Sequence, residues 1–171
     1  MPDLVREPVR LIGLGNLFRG DDAAGIVLAE RIRREKIPGL EVLLHFGDGA
    51  SLIPLWDKIK RVILVDAVCA GGTSGRLICF DLQNEAFPEN LFSVSSHSLG
   101  IPEALRIAKK LHQKLPAGFI FFGVTAERFN LGSEPSFNMD SLGDLFVSRI
   151  KTQLANWADP KQENRCTSLR S

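Results

Sequence analysis

The segment Arg61–Val68 constrains this chain more than any other, because Val62-Ile63-Leu64-Val65 is an unbroken apolar run. A strand with one wet face alternates apolar and polar residues, whereas a continuous β-branched run is buried on both faces. Two-sided burial needs helices above and below the sheet, so the run points to an α/β architecture. The remaining chain supplies the partners. Val9–Gly13, Glu41–Phe46, Gly75–Leu82 and Phe119–Val124 read as further strands. Amphipathic segments at Asp22–Arg34, Ser51–Lys60, Pro102–Leu115 and Asp140–Trp157 read as helices, with Pro54 in the first turn of the second. About seven residues separate the third strand from the fourth, too few for a helical crossover. The fourth strand therefore runs antiparallel to the third or lies at an edge.

The chain has 171 residues, the length of one domain. We expect a single domain over residues 1–157 and a loose polar tail over 158–171. Folding at this size removes about 70% of the chain's surface from water, so no disulfide or structural metal is required. The charge sum, 21 − 20 = +1, gives no reason to expect nucleic acid or an anionic membrane as a partner. No apolar run approaches the roughly 18 residues of a membrane span. Met1–Arg10 lacks the apolar core of a secretory signal. Cys69, Cys79 and Cys166 show no metal-ligand spacing, and we read free thiols in a reducing cytoplasm.

Right-handed crossovers put strand two on one side of strand one and strand three on the other. The gap between strands one and three is then a topological switch point, where ligands collect beyond the carboxyl ends of the strands. Three polar positions fall there. Asp21-Asp22 close the turn Gly13-Leu14-Gly15-Asn16-Leu17-Phe18-Arg19-Gly20 before the first helix. One carboxylate of this pair suffices to cap the helix, which leaves the other to be explained. Asp66 ends the apolar run, and a carboxylate there is costly unless it is paired or faces a cleft. Adjacent strands lie about 4.8 Å apart, so Asp66 sits close to the turn that carries Asp22. His97, in Ser95-Ser96-His97-Ser98, precedes the third helix. The positive helix end keeps its ring neutral and able to bind a metal. Taken singly, each of these residues also has a plain structural use as a cap or loop residue. Two carboxylates and an imidazole together suit nickel, zinc or cadmium.

Other readings are weaker. His45 ends the second strand, and His112 lies on the polar face of a helix. Arg19 and Asn16 shape the turn or touch a partner. A dinucleotide fingerprint fails, because Phe18 stands where its third glycine belongs and the second strand ends in His45-Phe46. Two aspartates at a helix N-terminus also repel a pyrophosphate. No Gly-Lys-Ser/Thr phosphate loop, Gly-x-Ser-x-Gly elbow or His-Glu-x-x-His helix occurs.

The run Leu11-Ile12-Gly13-Leu14-Gly15-Asn16-Leu17-Phe18-Arg19-Gly20-Asp21-Asp22-Ala23-Ala24-Gly25 resembles the signature of the hydrogenase maturation endopeptidases. The resemblance continues through Gly47-Asp48-Gly49-Ala50, Val65-Asp66-Ala67, Ser96-His97-Ser98-Leu99-Gly100 and Gly123-Val124. It implies a three-layer α/β/α sandwich with a five-stranded, mostly parallel mixed sheet and one antiparallel strand. It implies removal of a C-terminal peptide from the nickel-loaded large-subunit precursor of nickel–iron hydrogenase. The implied metal site falls on Asp22, Asp66 and His97. Asp22 or Asp66 is then the catalytic acid or base of an aspartyl-type endopeptidase. No organic cofactor is implied. The nickel is expected to arrive with the substrate, and zinc or cadmium to substitute in vitro. The expected partner is the precursor, met by a cytoplasmic monomer. Two positions depart from the pattern. Asp22 stands where many members have glutamate, so either the loop approaches more closely or metal affinity and preference change. Gly-Asp-Gly-Ala stands where Asp-Gly-Gly-Thr is frequent, which makes Asp48 a secondary candidate acid. The alternatives are a noncatalytic nickel-binding maturation factor on the same fold and a nucleotide or small-molecule enzyme using the cleft.

Overall fold

The computed structural model describes residues 7–46, 48–85, 91 and 100–158. In chain order the elements are β1 (Val9–Leu14), α1 (Ala24–Arg34), β2 (Leu40–His45), α2 (Gly49–Trp56), β3 (Arg61–Val68), β4 (Leu77–Asp81), α3 (Ile101–Lys110), β5 (Gly118–Thr125) and α4 (Met139–Ala158). A 3-10 turn, Gly20–Ala23, precedes α1. The single sheet has the order β2-β1-β3-β5-β4.

The burial pattern of β3 explains that order. Val62, Ile63, Leu64 and Val65 are all fully buried, with alternate side chains entering opposite layers. Ile63 and Val65 pack with Leu28, Ile32, Phe146 and Ile150 of α1 and α4. Val62 and Leu64 pack with Leu52, Trp56, Ala104 and Ala108 of α2 and α3. The result is the expected α/β/α sandwich. β1 pairs in parallel with β2 on one side and β3 on the other, and β3 pairs in parallel with β5. The switch point between β1 and β3 therefore stands where the sequence placed it.

β4 is the antiparallel edge strand, as expected, and it pairs with β5, with Cys79 opposite Phe122. Two other local expectations change. α2 begins two residues before the expected Ser51, because Asp48 caps it by accepting the Ser51 N–H at 2.9 Å. Pro54 consequently falls in the second turn. Cys79 is disulfide-bonded, which corrects the reading of three free thiols; Cys69 is free. α4 reaches Ala158, and the expected tail beyond it lies outside the described residues. Among the described residues, no helix is long and apolar enough to cross a membrane.

Candidate functional site

Close backbone packing brings two of the three expected residues together. Gly15 has a φ of +133°, and a Cβ there would collide with the Asp22 carbonyl. A Cβ on Gly25 would strike the carbonyls of Leu14 and Val65 and lie 3.1 Å from the Asp66 Cα. The start of α1 thus rests directly on the carboxyl end of β3. Asp22 lies one helical turn before Gly25, so it comes over Asp66.

The two carboxyls interact through a poorly solvated space. Burial raises the Asp66 pKa to about 8, with the negative charge of Asp22 adding to the effect. Its described hydrogen bond is from the Ala67 N–H to Oδ1 at 2.8 Å, which opposes the shift only in part. Burial also raises Asp22, and the Arg19 guanidinium partly offsets it. Near neutral pH the pair therefore holds a proton, and its titration belongs to both members. A carboxyl pair that holds one proton near neutral pH can accept a proton from water or exchange its own for a metal cation.

Cys69 stands beside this pair. Burial and the charges of Asp22 and Asp21 push its thiol pKa up, so it stays protonated and is a poor nucleophile. Its N–H donates to the Leu91 carbonyl at 2.8 Å, tying the end of β3 to that residue. His97, the third expected ligand, lies outside the described residues. Among the described residues, no group of three side chains that could hold a metal occurs.

The other candidates have structural tasks. Asp48 caps α2, and the Ser51 N–H holds its carboxyl below the usual range. His45 lies 3.0 Å from the Asp48 carbonyl and 3.4 Å from Ser51 Oγ. His112 is exposed and has a left-handed φ of +53° just after α3. Asn16 shapes the turn, its Oδ1 accepting the Phe18 N–H at 2.9 Å. Arg19 Nε donates to the Phe129 carbonyl at 3.0 Å, so it joins this turn to the loop between β5 and α4.

Asp21 contradicts the capping expectation. Neither aspartate caps a helix through its side chain; the residues at the N-cap positions are Arg19 and Ala23. Asp21 is fully buried and accepts from the backbone N–H groups of Glu127, Arg128 and Ser136 at 2.8, 2.9 and 2.6 Å. The Ser136 hydroxyl donates to it at 2.7 Å. Burial acts to raise its pKa, but these four donors outweigh burial and hold it below the usual value. The sequence signal for this role was the doublet itself, one acid more than a cap uses.

Comparison with known proteins agrees with the sequence resemblance. The family model described as HycI, hydrogenase maturation protease, matches residues 30–136, a span that contains Asp66 and His97. The curated protein HupD of Rhodobacter capsulatus, a hydrogenase expression/formation protein, is 27% identical over 113 residues. That match covers 64% of this chain and 53% of HupD, so the chain spans about half the length of that relative. Among solved structures, the [NiFe] hydrogenase maturation protease HycI from Thermococcus kodakarensis is 25% identical with a TM-score of 0.62, covering 86% of this chain and 92% of its own. HybD from the same organism, also a [NiFe] hydrogenase maturation protease, is 26% identical with a TM-score of 0.59, covering 86% and 99%.

Proposed function

The chain belongs to the hydrogenase maturation protease family, and from that premise we propose that it cleaves the C-terminal peptide from a nickel-loaded hydrogenase large-subunit precursor. In this reading Asp22, Asp66 and His97 recognise nickel that the substrate already holds. The observation that carries the reading is the Asp22–Asp66 pair at the switch point, with Asp66 holding its proton to about pH 8. Among the described residues the pair receives few hydrogen bonds, so a cation that displaces the proton gains two carboxylate ligands.

The chemistry follows from the groups present. A water molecule attacks the scissile carbonyl carbon, and Asp22 or Asp66 takes its proton. The C–N bond then breaks, and the leaving amine receives a proton from the same carboxyl. Attack by water fits a site whose nearby thiol is kept protonated. The metal also supplies binding energy that an empty precursor lacks, which makes cleavage wait for nickel. The encounter is between one copy of this chain and one precursor in the cytoplasm.

The test is cleavage of nickel-loaded and empty precursor under identical conditions. We expect cleavage of the loaded form only. Equal cleavage of both would remove the nickel from the reading, and nickel-dependent binding without cleavage would make the chain a noncatalytic maturation factor.

A further inference from the structure

The chemistry leaves Asp21 unused, yet Asp21 is the most deeply buried acid among the described residues. What it holds together is informative. Its four donors all come from the loop between β5 and α4, 106 to 115 residues away. Its own N–H donates to the Arg128 carbonyl at 2.9 Å, and the Gly132 N–H donates to the Phe18 carbonyl at 2.7 Å. Ser136 Oγ in turn accepts from the Ser74 hydroxyl at 2.9 Å, and Ser74 belongs to the turn between β3 and β4. One carboxylate therefore joins three loops at the carboxyl end of the sheet.

The joined loops present apolar side chains to water. Phe18 is 73% exposed and Leu131 is 79% exposed. Among the described residues six large hydrophobics are exposed, and four of them (Leu17, Phe18, Phe46 and Leu131) follow the carboxyl ends of β1, β2 and β5. Leu17 also lines a groove with Ile26, Leu44 and Met139. Exposed apolar groups concentrated around a site are covered when it engages a macromolecule. A protease whose substrate is a folded precursor meets that condition, and the edge is continuous with the turn that carries Asp22.

We propose that Asp21 is a positioning residue, and that the Phe18–Leu131 edge it assembles seats an apolar segment of the hydrogenase precursor beside Asp22 and Asp66. This rests on the function proposed above for its choice of partner. Asp21 acts through the Glu127, Arg128 and Ser136 donors. Phe18 and Leu131 make the contact.

The experiment measures precursor binding and cleavage separately, with the full chain and nickel-loaded precursor. Phe18→Ser combined with Leu131→Ser removes the apolar contact from exposed positions that bear no folding load. Ser136→Ala removes one Asp21 donor, and Ser136→Thr restores the hydroxyl. Leu111→Ser, at the far end of α3, serves as the exposed-leucine control. We expect the double variant to weaken precursor binding by about tenfold or more, the size of an interface anchor. KM should rise with it while kcat changes little. Ser136→Ala should move KM in the same direction and Ser136→Thr should recover it, while Leu111→Ser leaves KM unchanged. Unchanged binding in the folded double variant overturns the edge, whether or not wild type cleaves. A Ser136→Ala variant that loses thermal stability but keeps KM overturns the positioning role of the clamp. Binding lost in the double variant, with no cleavage even by wild type, supports the edge and overturns the proposed protease activity. Wild type that neither binds nor cleaves overturns both.

Discussion

The clamp at Asp21 and the cleft at Asp22–Asp66 both take carboxylates out of water, and they come out chemically opposite. Asp21 is the more buried residue, yet its pKa falls, because three backbone N–H groups and a hydroxyl surround it. Asp66 retains partial exposure, yet burial, with the like charge of Asp22 beside it, raises its pKa to about 8, and among the described residues the Ala67 N–H alone opposes the rise. Burial sets the cost of a charge; the number of donors decides whether the charge stays. A saturated carboxylate holds structure together. An undersupplied one remains open to a proton or a metal.

The largest effect expected from this contrast is on cleavage. Asp66→Asn keeps the shape and removes the ionisable oxygen, so precursor cleavage should fall by about 10²- to 10⁴-fold, the usual contribution of a positioned acid or base. A steady-state assay that finds less than a tenfold loss would place the chemistry elsewhere.

Next in size is the clamp. Asp21→Ala strands four donors, and the loss should reach about 3–5 kcal/mol. For a chain of this length that lowers Tm by roughly 10 °C or more, readable by calorimetry. Asp21→Asn should recover little, since its amide nitrogen would face N–H donors.

The cleft should respond in the opposite sense. Asp66 holds its proton to about pH 8 when folded, against 3.8 for an ordinary aspartate. Between those values the folded chain binds more protons than the unfolded one, so rising pH destabilises it. The difference is absent below 3.8 and complete above about 8. Asp66→Asn does not ionise. It should therefore melt higher than wild type at pH 8, with the gap closing toward pH 4. Asp21 works the other way, contributing stability above the usual carboxylate pKa that is lost as pH falls through its lowered value.

The smallest effect concerns Arg19. Its charge opposes the rise in Asp22, so Arg19→Gln should raise the Asp22 titration midpoint and leave Asp21 unmoved. A shift at Asp21 instead would mean that the two regions are not separable.

This contrast was half legible in the sequence. The cleft announced itself locally: a carboxylate ending a two-sided apolar strand is conspicuous, and the crossover rule fixed which turn faced it. The clamp did not, because an aspartate before a helix reads as a cap and the donors lie more than a hundred residues away. The same distance effect hid the partner of β4. A short turn revealed its antiparallel direction, but its place beside β5 depends on a pairing across some forty residues of sequence. Asp48 shows a local signal the sequence reading missed, since a nearby donor, the Ser51 N–H, makes it the cap of α2.

The most direct measurement is carboxyl ¹³C NMR of the aspartates across a pH titration of the full chain. The account predicts that Asp66 changes near pH 8 and that Asp21 changes below the usual carboxylate range. An Asp66 that titrates near 4, together with an Asp21 that titrates no lower, would contradict it.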